Sequence, residues 1–488
     1  MCRSGGGLME GWLGISLGCY VVAMIGLGLA AGRKVETDED YLVAGRQLPL
    51  WLAWGTLLAT WFGAATVLGA SEAAREEGLR GTILDPFASG IALIVAGLFF
   101  AGPVWEMRLL TVGDLFARKY GRKTELVSSL VQSVGYLPWI AAQYLALAAV
   151  LTHFFGIETR IAIIGVALLV GFLTMIGGMW SVTLTDTAQI LIVLVSLVVL
   201  GVSFFAAIGN GSVTMGVTST WQETPAEMRT LLPQAGTIAI LAWSATWLNG
   251  IFGNIPGQDL MQRVFAAKSS KVAKQACVLA GVVYILFGLL PVGLGLASRL
   301  VWPDELPQGN DGHVLLALAE QFLTTPMICL FAVAVVAIVV STCTSALLSP
   351  SALLAHNLLD RLPWFDNRKL LTNRLSVLIV TAASLPIAFV TDEILGLLEE
   401  AVAVALVALI VPFIAGVYGS PRGERSGLLS IVAGASVWVV HHLVAATLVG
   451  DGTPTTPLTM LVDAIPPELT GVLASLVGYF VGQRRLRG

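Results

Sequence analysis

Ser341, Thr342, Cys343, Thr344 and Ser345 place five hydroxyl or thiol side chains in a row, deep in the apolar run AVVAIVVSTCTSALLSPSALLAHN. Hydroxyls in a helix commonly bond back to the carbonyl four residues earlier, which is one reading of this cluster. The other is cation coordination. Sodium prefers oxygen ligands, and hydroxyls together with unpaired carbonyls supply them without burying a full negative charge. Unpaired carbonyls require a break in a neighbouring helix, and two segments have the composition for one. LAWGTLLATWFGAATVLGA carries Thr60, Gly63, Thr66 and Gly69 near its middle, and AWSATWLNGIFGNIPGQD carries Asn249, Gly250, Gly253, Asn254, Pro256 and Gly257. Acids at membrane depth are costly and are functional candidates by default. Asp186, in SVTLTDTAQI, reads either as such an acid or as a helix N-cap, and Asp85, before Pro86, reads as a cap. Glu399 and Glu400 read equally as lining an outer vestibule or as snorkelling to the surface. His441 and His442 are adjacent and point to different faces of one helix, so the five histidines form no metal or haem constellation.

The elements that must position these groups are membrane helices. Charged residues are 12% of the 488, about half the share of a soluble domain, and 56% are hydrophobic. Runs of about 20 apolar residues, enough to cross a ~30 Å hydrocarbon core, number thirteen. They lie at about 10–31, 50–73, 84–106, 126–155, 161–180, 184–209, 234–256, 275–298, 323–350, 375–390, 395–418, 428–449 and 468–483. All 27 lysines and arginines read as lying outside them. With the N-terminus outside, 21 basic residues fall in cytoplasmic segments and six (Arg3, Arg75, Arg80, Arg160, Arg229, Arg299) in outer ones, so the positive-inside rule places the C-terminus in the cytoplasm. The first span has its positive charges behind it, at Arg33 and Lys34, and reads as a retained helix and not a cleaved leader.

This layout excludes several classes. The longest outer loop, 210–233, is too short for a catalytic or nucleic-acid-binding domain. The five cysteines are scattered without metal or disulfide spacing. A proton-pumping respiratory subunit would rely on mid-membrane lysines, and a transporter-like sensor would carry a soluble signalling segment; neither is read here. An integral membrane enzyme would need a clustered nucleophile, acid or metal set. What remains is transport. Five spans separate the start of the first Gly/Pro-interrupted segment from the start of the second, the arrangement of a transporter built from two five-helix repeats with its site at the midplane. The chain divides accordingly into a leading helix and loop (1–49), a first repeat (50–209), a second (234–418) and two trailing helices with a basic tail (428–488).

Several separate segments resemble the sodium:solute symporters, the group with sodium-coupled proline, pantothenate, sugar, iodide and choline carriers. These are YLVAGRQLPLW, LTVGDLFARKYGR, IGGMWSVTLTDTAQ, QDLMQRVFAAKSSKVAKQA and VVSTCTSALLSPSALLAHNL, spread from about Tyr41 to about residue 420. The resemblance implies an all-α, LeuT-like fold of five plus five inverted helices with one leading and two trailing helices. It also implies one sodium held by the carbonyls of Ala59, Phe62 and Ile338 and the hydroxyls of Ser341 and Thr342, with Asp186 on the release path. Thr344 stands where members with a second sodium site carry an aspartate, which leaves one sodium per substrate. The first core helix is most similar to that of the choline carriers, whose aromatic box would use Trp61 and Trp139. Gly257 and Ser89 replace two further aromatic positions of that box. Trp247, with Trp243, could repopulate it or serve only packing.

The resulting expectation is a sodium-coupled symporter of the plasma membrane, not an enzyme, importing a small amine, betaine or amino-acid-like solute beside Trp61, Thr66, Trp139, Trp247 and Gly257. Its partners are the solute, sodium and the lipid bilayer, with no nucleic acid and no obligate protein partner. Proton coupling through Glu399 or Glu400, or a sensor without flux, is the alternative.

Overall fold

The computed structural model describes residues 6–233, 236–307, 313–360, 362–365, 368–390, 394–421, 423–448 and 464–484. Arg3, Arg361, Arg422, Arg485 and Arg487 of the charge count lie outside them. Nineteen named helices run α1 (Gly6–Gly32), α2 (Asp38–Val43), α3 (Leu50–Trp61), α4 (Ala70–Glu77), α5 (Ser89–Val95), α6 (Ala101–Glu106), α7 (Val112–Lys119), α8 (Arg122–Phe155), α9 (Thr159–Ile208) and α10 (Val213–Glu223). They continue as α11 (Thr237–Leu248), α12 (Gln258–Ala266), α13 (Ser270–Val301), α14 (Val314–Phe322), α15 (Thr325–Leu353), α16 (Lys369–Ala388), α17 (Ile394–Tyr418), α18 (Glu424–Leu448) and α19 (Pro467–Gln483). Among the described residues each expected span is mainly helical. Ten stretches of the described residues are long and apolar enough to cross a membrane; the two expected spans on α9 count there as one, the first core helix is broken, and α19 has only 17 residues.

The expected turn at 181–183 lies a few residues earlier. The stretch Thr159–Ile208 is two helices joined at a kink at Gly178, with φ 49° and ψ −143°. Only glycine adopts that conformation without strain. The bend also lets the main chain pass Tyr41, whose carbonyl would lie 2.5 Å from any Cβ at this position. Asp186 therefore sits inside a helix and not at its start, so the N-cap reading does not hold.

Both expected breaks are present. The first core helix is α3, which ends at Trp61; Phe62 leaves helical geometry (ψ 71°) and helical turns resume from Ala65 into α4. The second is α11, which passes through a wide turn at Asn249–Gly253, opens at Asn254–Gly257 and continues as α12. Backbone that leaves the helix at membrane depth needs protein or a wet cavity to satisfy it, and at the first break that protein is α15. Every residue of α15 from Ala334 to Leu353 is buried, as expected of a helix apolar on all faces, and it packs against α3, α8, α9 and α12.

The sequence reading of 257–274 as a cytoplasmic loop is corrected by α12. All nine of its residues are buried, Asp259 and Arg263 included, so a basic residue does lie within a membrane-capable segment, Thr237–Ala266. The helix is too polar for a hydropathy window because its polar groups are paired across the fold. The Gln258 carboxamide accepts from the Val112 amide at 2.7 Å, and Gln262 donates to the Leu42 carbonyl at 2.6 Å.

Candidate functional site

The break in the first core helix frees the oxygens that a cation needs. In a continuous helix the Gly63 amide would donate to the Ala59 carbonyl; here it donates to Trp61, at 2.7 Å. The hydroxyls of Ser341 and Thr342 each lie 3.3 Å from the Ala59 oxygen, so α3 and α15 meet there. The meeting depends on Gly63, where a Cβ would stand 2.8 Å from the Thr342 hydroxyl oxygen. Phe62 and Ile338 are buried beside these groups in sequence on the same two helices.

A carboxylate backs this cluster. Asp186 is fully buried and accepts from Ser341 at 2.5 Å, from Thr56 at 2.6 Å and from Ser345 at 3.3 Å. Ser341 has one proton, and spending it on Asp186 leaves its lone pairs for a cation. The oxygen chemistry at Ala59, Ser341 and Thr342 fits sodium. The guanidinium of Arg263 balances Asp186 from 3.8 Å, donates to Ser345 at 2.6 Å and to Thr56 at 3.3 Å, and reaches the Asp259 carbonyl at 2.8 Å. Thr344 faces back to the Ser341 carbonyl at 2.9 Å.

Beyond the break opens a cavity of about 810 Å³, counting the open space at its mouth. Trp61, Trp139 and Gly257 line it, as expected, with Tyr136 tilted against Trp139 at a ring separation of 5.7 Å. Thr66 lies under the cavity wall, where its hydroxyl is 2.6 Å from that of Tyr284. Trp247 does not line this cavity. It packs edge-on against Trp243, 6.3 Å away, so the pair serves packing. No side chain fits at Gly257 without a shift: a Cβ there would meet the Asp259 carboxylate at 2.6 Å and the Tyr136 hydroxyl at 3.4 Å.

Two acids complete the lining. Asp85 is not a cap; its carboxylate accepts from Tyr284 at 2.9 Å and Thr66 at 3.1 Å. Asp259 accepts from the Trp61 indole at 2.5 Å and from the Tyr136 hydroxyl. Sequence reasoning missed Asp259, Arg263, Tyr136 and Tyr284. The available signal was an acid and a base spaced i, i+4 on one helical face directly after the Pro256-Gly257 break. Glu399 lines a separate recess with Asn249 and Glu468, and Glu399 and Glu400 are both exposed.

Asp114, itself outside the membrane-capable stretches, completes the capping box at the start of α7 and accepts from His356 at 3.1 Å. Burial pushes its carboxyl upward, but His356 and the Leu110 and Thr111 amides outweigh burial and hold it below the ordinary carboxylate range.

The sequence matches the profile of the sodium:solute symporter family over residues 41–434. It is 26% identical to the human high affinity choline transporter 1 over 88% of this chain and 78% of that protein. It is 23% identical to the sodium/pantothenate symporter of Haemophilus influenzae over 96% of both. The structure superposes on a Na+-coupled sialic acid symporter, solved substrate-bound and outward-open, with a TM-score of 0.75 at 18% identity, covering 96% of this chain and 98% of that one. That likeness establishes a shared LeuT-like fold.

Proposed function

Because the chain belongs to the sodium:solute symporter family, and is accordingly a multi-pass, sodium-coupled symporter and not an enzyme, we propose how its own residues carry that activity. Sodium binds at the meeting of the first core helix with α15, held by the carbonyls of Ala59, Phe62 and Ile338 and the hydroxyls of Ser341 and Thr342. The observation carrying this reading is the Ala59 carbonyl, released by the break and placed 3.3 Å from both hydroxyls, with Asp186 behind them. Bound there, the ion ties α3 to α15 and favours the outward-open arrangement. Asp186 competes for Ser341 and assists release on the inner side.

The solute is a small organic amine seated beside Trp61 and Trp139, with Thr66 below and Gly257 at the edge. Similarity to proteins named as choline transporters supports this class, and a tryptophan face attracts a cation by ~0.5–2 kcal/mol. Residues 50–209 and 234–418 act as the two inverted repeats, with the N-terminus outside. Rocking of one against the other then exposes the site alternately. A membrane potential of about 100 mV adds ~2.3 kcal/mol per inward charge, which drives accumulation.

The test is sodium-dependent stabilisation and uptake by purified protein. In wild type, sodium and not potassium raises the unfolding temperature, because a ligand specific to the folded state stabilises it. The Ser341→Ala/Thr342→Ala variant is expected to lose that increment and to need far more sodium for half-maximal uptake. Wild-type behaviour of this variant at limiting sodium would overturn the ion assignment.

A further inference from the structure

The lining of the solute cavity has a chemical bias that the aromatic residues do not reveal. Asp85 and Asp259 both border it, and among the described residues no lysine, arginine or histidine does. Both carboxylates are about nineteen-twentieths buried. Their partners are neutral donors: the Trp61 indole and Tyr136 hydroxyl for Asp259, and the Tyr284 and Thr66 hydroxyls for Asp85. The buried guanidinium of Arg263 pairs with Asp186, bonds the Asp259 main-chain carbonyl and also faces the Asp259 charge, so one cation is shared between two buried acids while Asp85 has neutral partners. Carboxylates in excess of cations are unfavourable in a buried site unless a ligand brings positive charge.

Hydrogen-bonding capacity points the same way. Gln132 is buried, and its amide nitrogen is committed to the Pro256 carbonyl at 3.1 Å. That leaves its oxygen as an acceptor without a partner among the described residues, and the oxygen of Gln143, also buried on the cavity wall, is in the same condition. Unsatisfied buried acceptors destabilise the empty site and reward a ligand that supplies donors. The protein-side donors at the acids are already engaged, so the deficit is of N–H groups and positive charge.

The geometry points to a solute that is an organic cation bearing N–H donors and no carboxylate: a protonated primary or secondary amine, an amidine or a guanidine. This rests on the solute-site reading above and narrows it. A quaternary ammonium satisfies the charge but offers none of the donors. Betaines and amino acids bring a carboxylate into a chamber holding two. Asp259 and Gln132 set the preference from the α12 and α8 sides, and Asp85 supplies the second anchor beneath Trp61.

The experiment uses the full chain in proteoliposomes with an inward sodium gradient, alongside thermal unfolding in sodium. The probes are ethanolamine, putrescine and agmatine, with choline, glycine betaine, proline and glucose as comparators. At least one N–H cation is expected to be taken up with sodium and to stabilise the protein at a concentration about tenfold or more below that required of choline, as loss of charge-assisted hydrogen bonds would give. Asp259→Asn and Gln132→Leu should each erase that preference over choline, while the stabilisation by sodium alone persists and reports intact folding. Selective uptake of choline, betaine, proline or glucose overturns the inference and leaves sodium symport standing. So does a sodium-responsive protein that ignores all three N–H cations, or an Asp259→Asn variant that keeps the preference. Absence of any response to sodium counts instead against the ion-site reading.

Discussion

Arg263 spends its donors on three helices at once, reaching Ser345 on α15, Thr56 on α3 and the Asp259 carbonyl on α12, while its charge faces Asp186 on α9. An arginine suits this because its planar fork fixes several bonds in one geometry, which a lysine cannot. Removing one member of a buried pair strands the other, at a cost of about 3–5 kcal/mol. Arg263→Leu is therefore expected to lower the unfolding temperature sharply, and the loss should shrink in Arg263→Leu/Asp186→Leu, where no charge is left stranded. A single variant as stable as wild type would show that the pair carries no structural weight. Arg263 contacts both Asp186 and the Asp259 main chain, so under the proposed site assignments it would couple the ion site to the solute cavity.

At the scale of elements, the breaks and bends decide where the site can be. Gly63 permits the close approach of α3 to Thr342, and Gly178 turns α9 so that Asp186 faces α3 and α15. At Gly178 a side chain meets both a backbone conformation that non-glycine residues avoid and the Tyr41 carbonyl. Gly178→Ala is expected to cost at least ~1–3 kcal/mol, read as a lowered unfolding temperature and a weaker response to sodium, because the bend positions Asp186. Unchanged stability with an unchanged sodium response would mean that the bend is not needed. Small residues at such crossings are general in membranes, where helices associate by packing and not by a hydrophobic drive.

For the whole molecule, the charge asymmetry predicts an orientation that can be checked directly. With the N-terminus outside, a cysteine placed at exposed Glu227, between α10 and α11, should react with a membrane-impermeant thiol reagent on intact cells. One at exposed Lys369, at the start of α16, should react only after permeabilisation. The reverse pattern would invert the assignment. The two positions lie on connections far apart in the chain, so agreement between them tests the path of the intervening helices as well as the direction of the first.

Composition and hydropathy by themselves determined the membrane class, the helical architecture and both broken helices, because a bilayer penalises polar backbone so heavily that spans and their interruptions must show in the residue pattern. The break at Gly63 was likewise legible, whereas the hydroxyl row at Ser341–Ser345 read equally as back-bonding to its own helix until the fold set Ser341 and Thr342 against the Ala59 carbonyl. Tertiary structure decided the rest. Asp259 and Arg263 looked like loop charges because hydropathy averages over a window, and only the fold shows that Asp186, Trp61 and Tyr136 compensate them. Asp85 looked like a cap until α13 brought Tyr284 against it, and Trp247 looked available until Trp243 occupied its face. A sequence states which groups are costly to bury; which partners offset that cost is a property of contacts between residues up to hundreds of positions apart, and only the folded chain sets those.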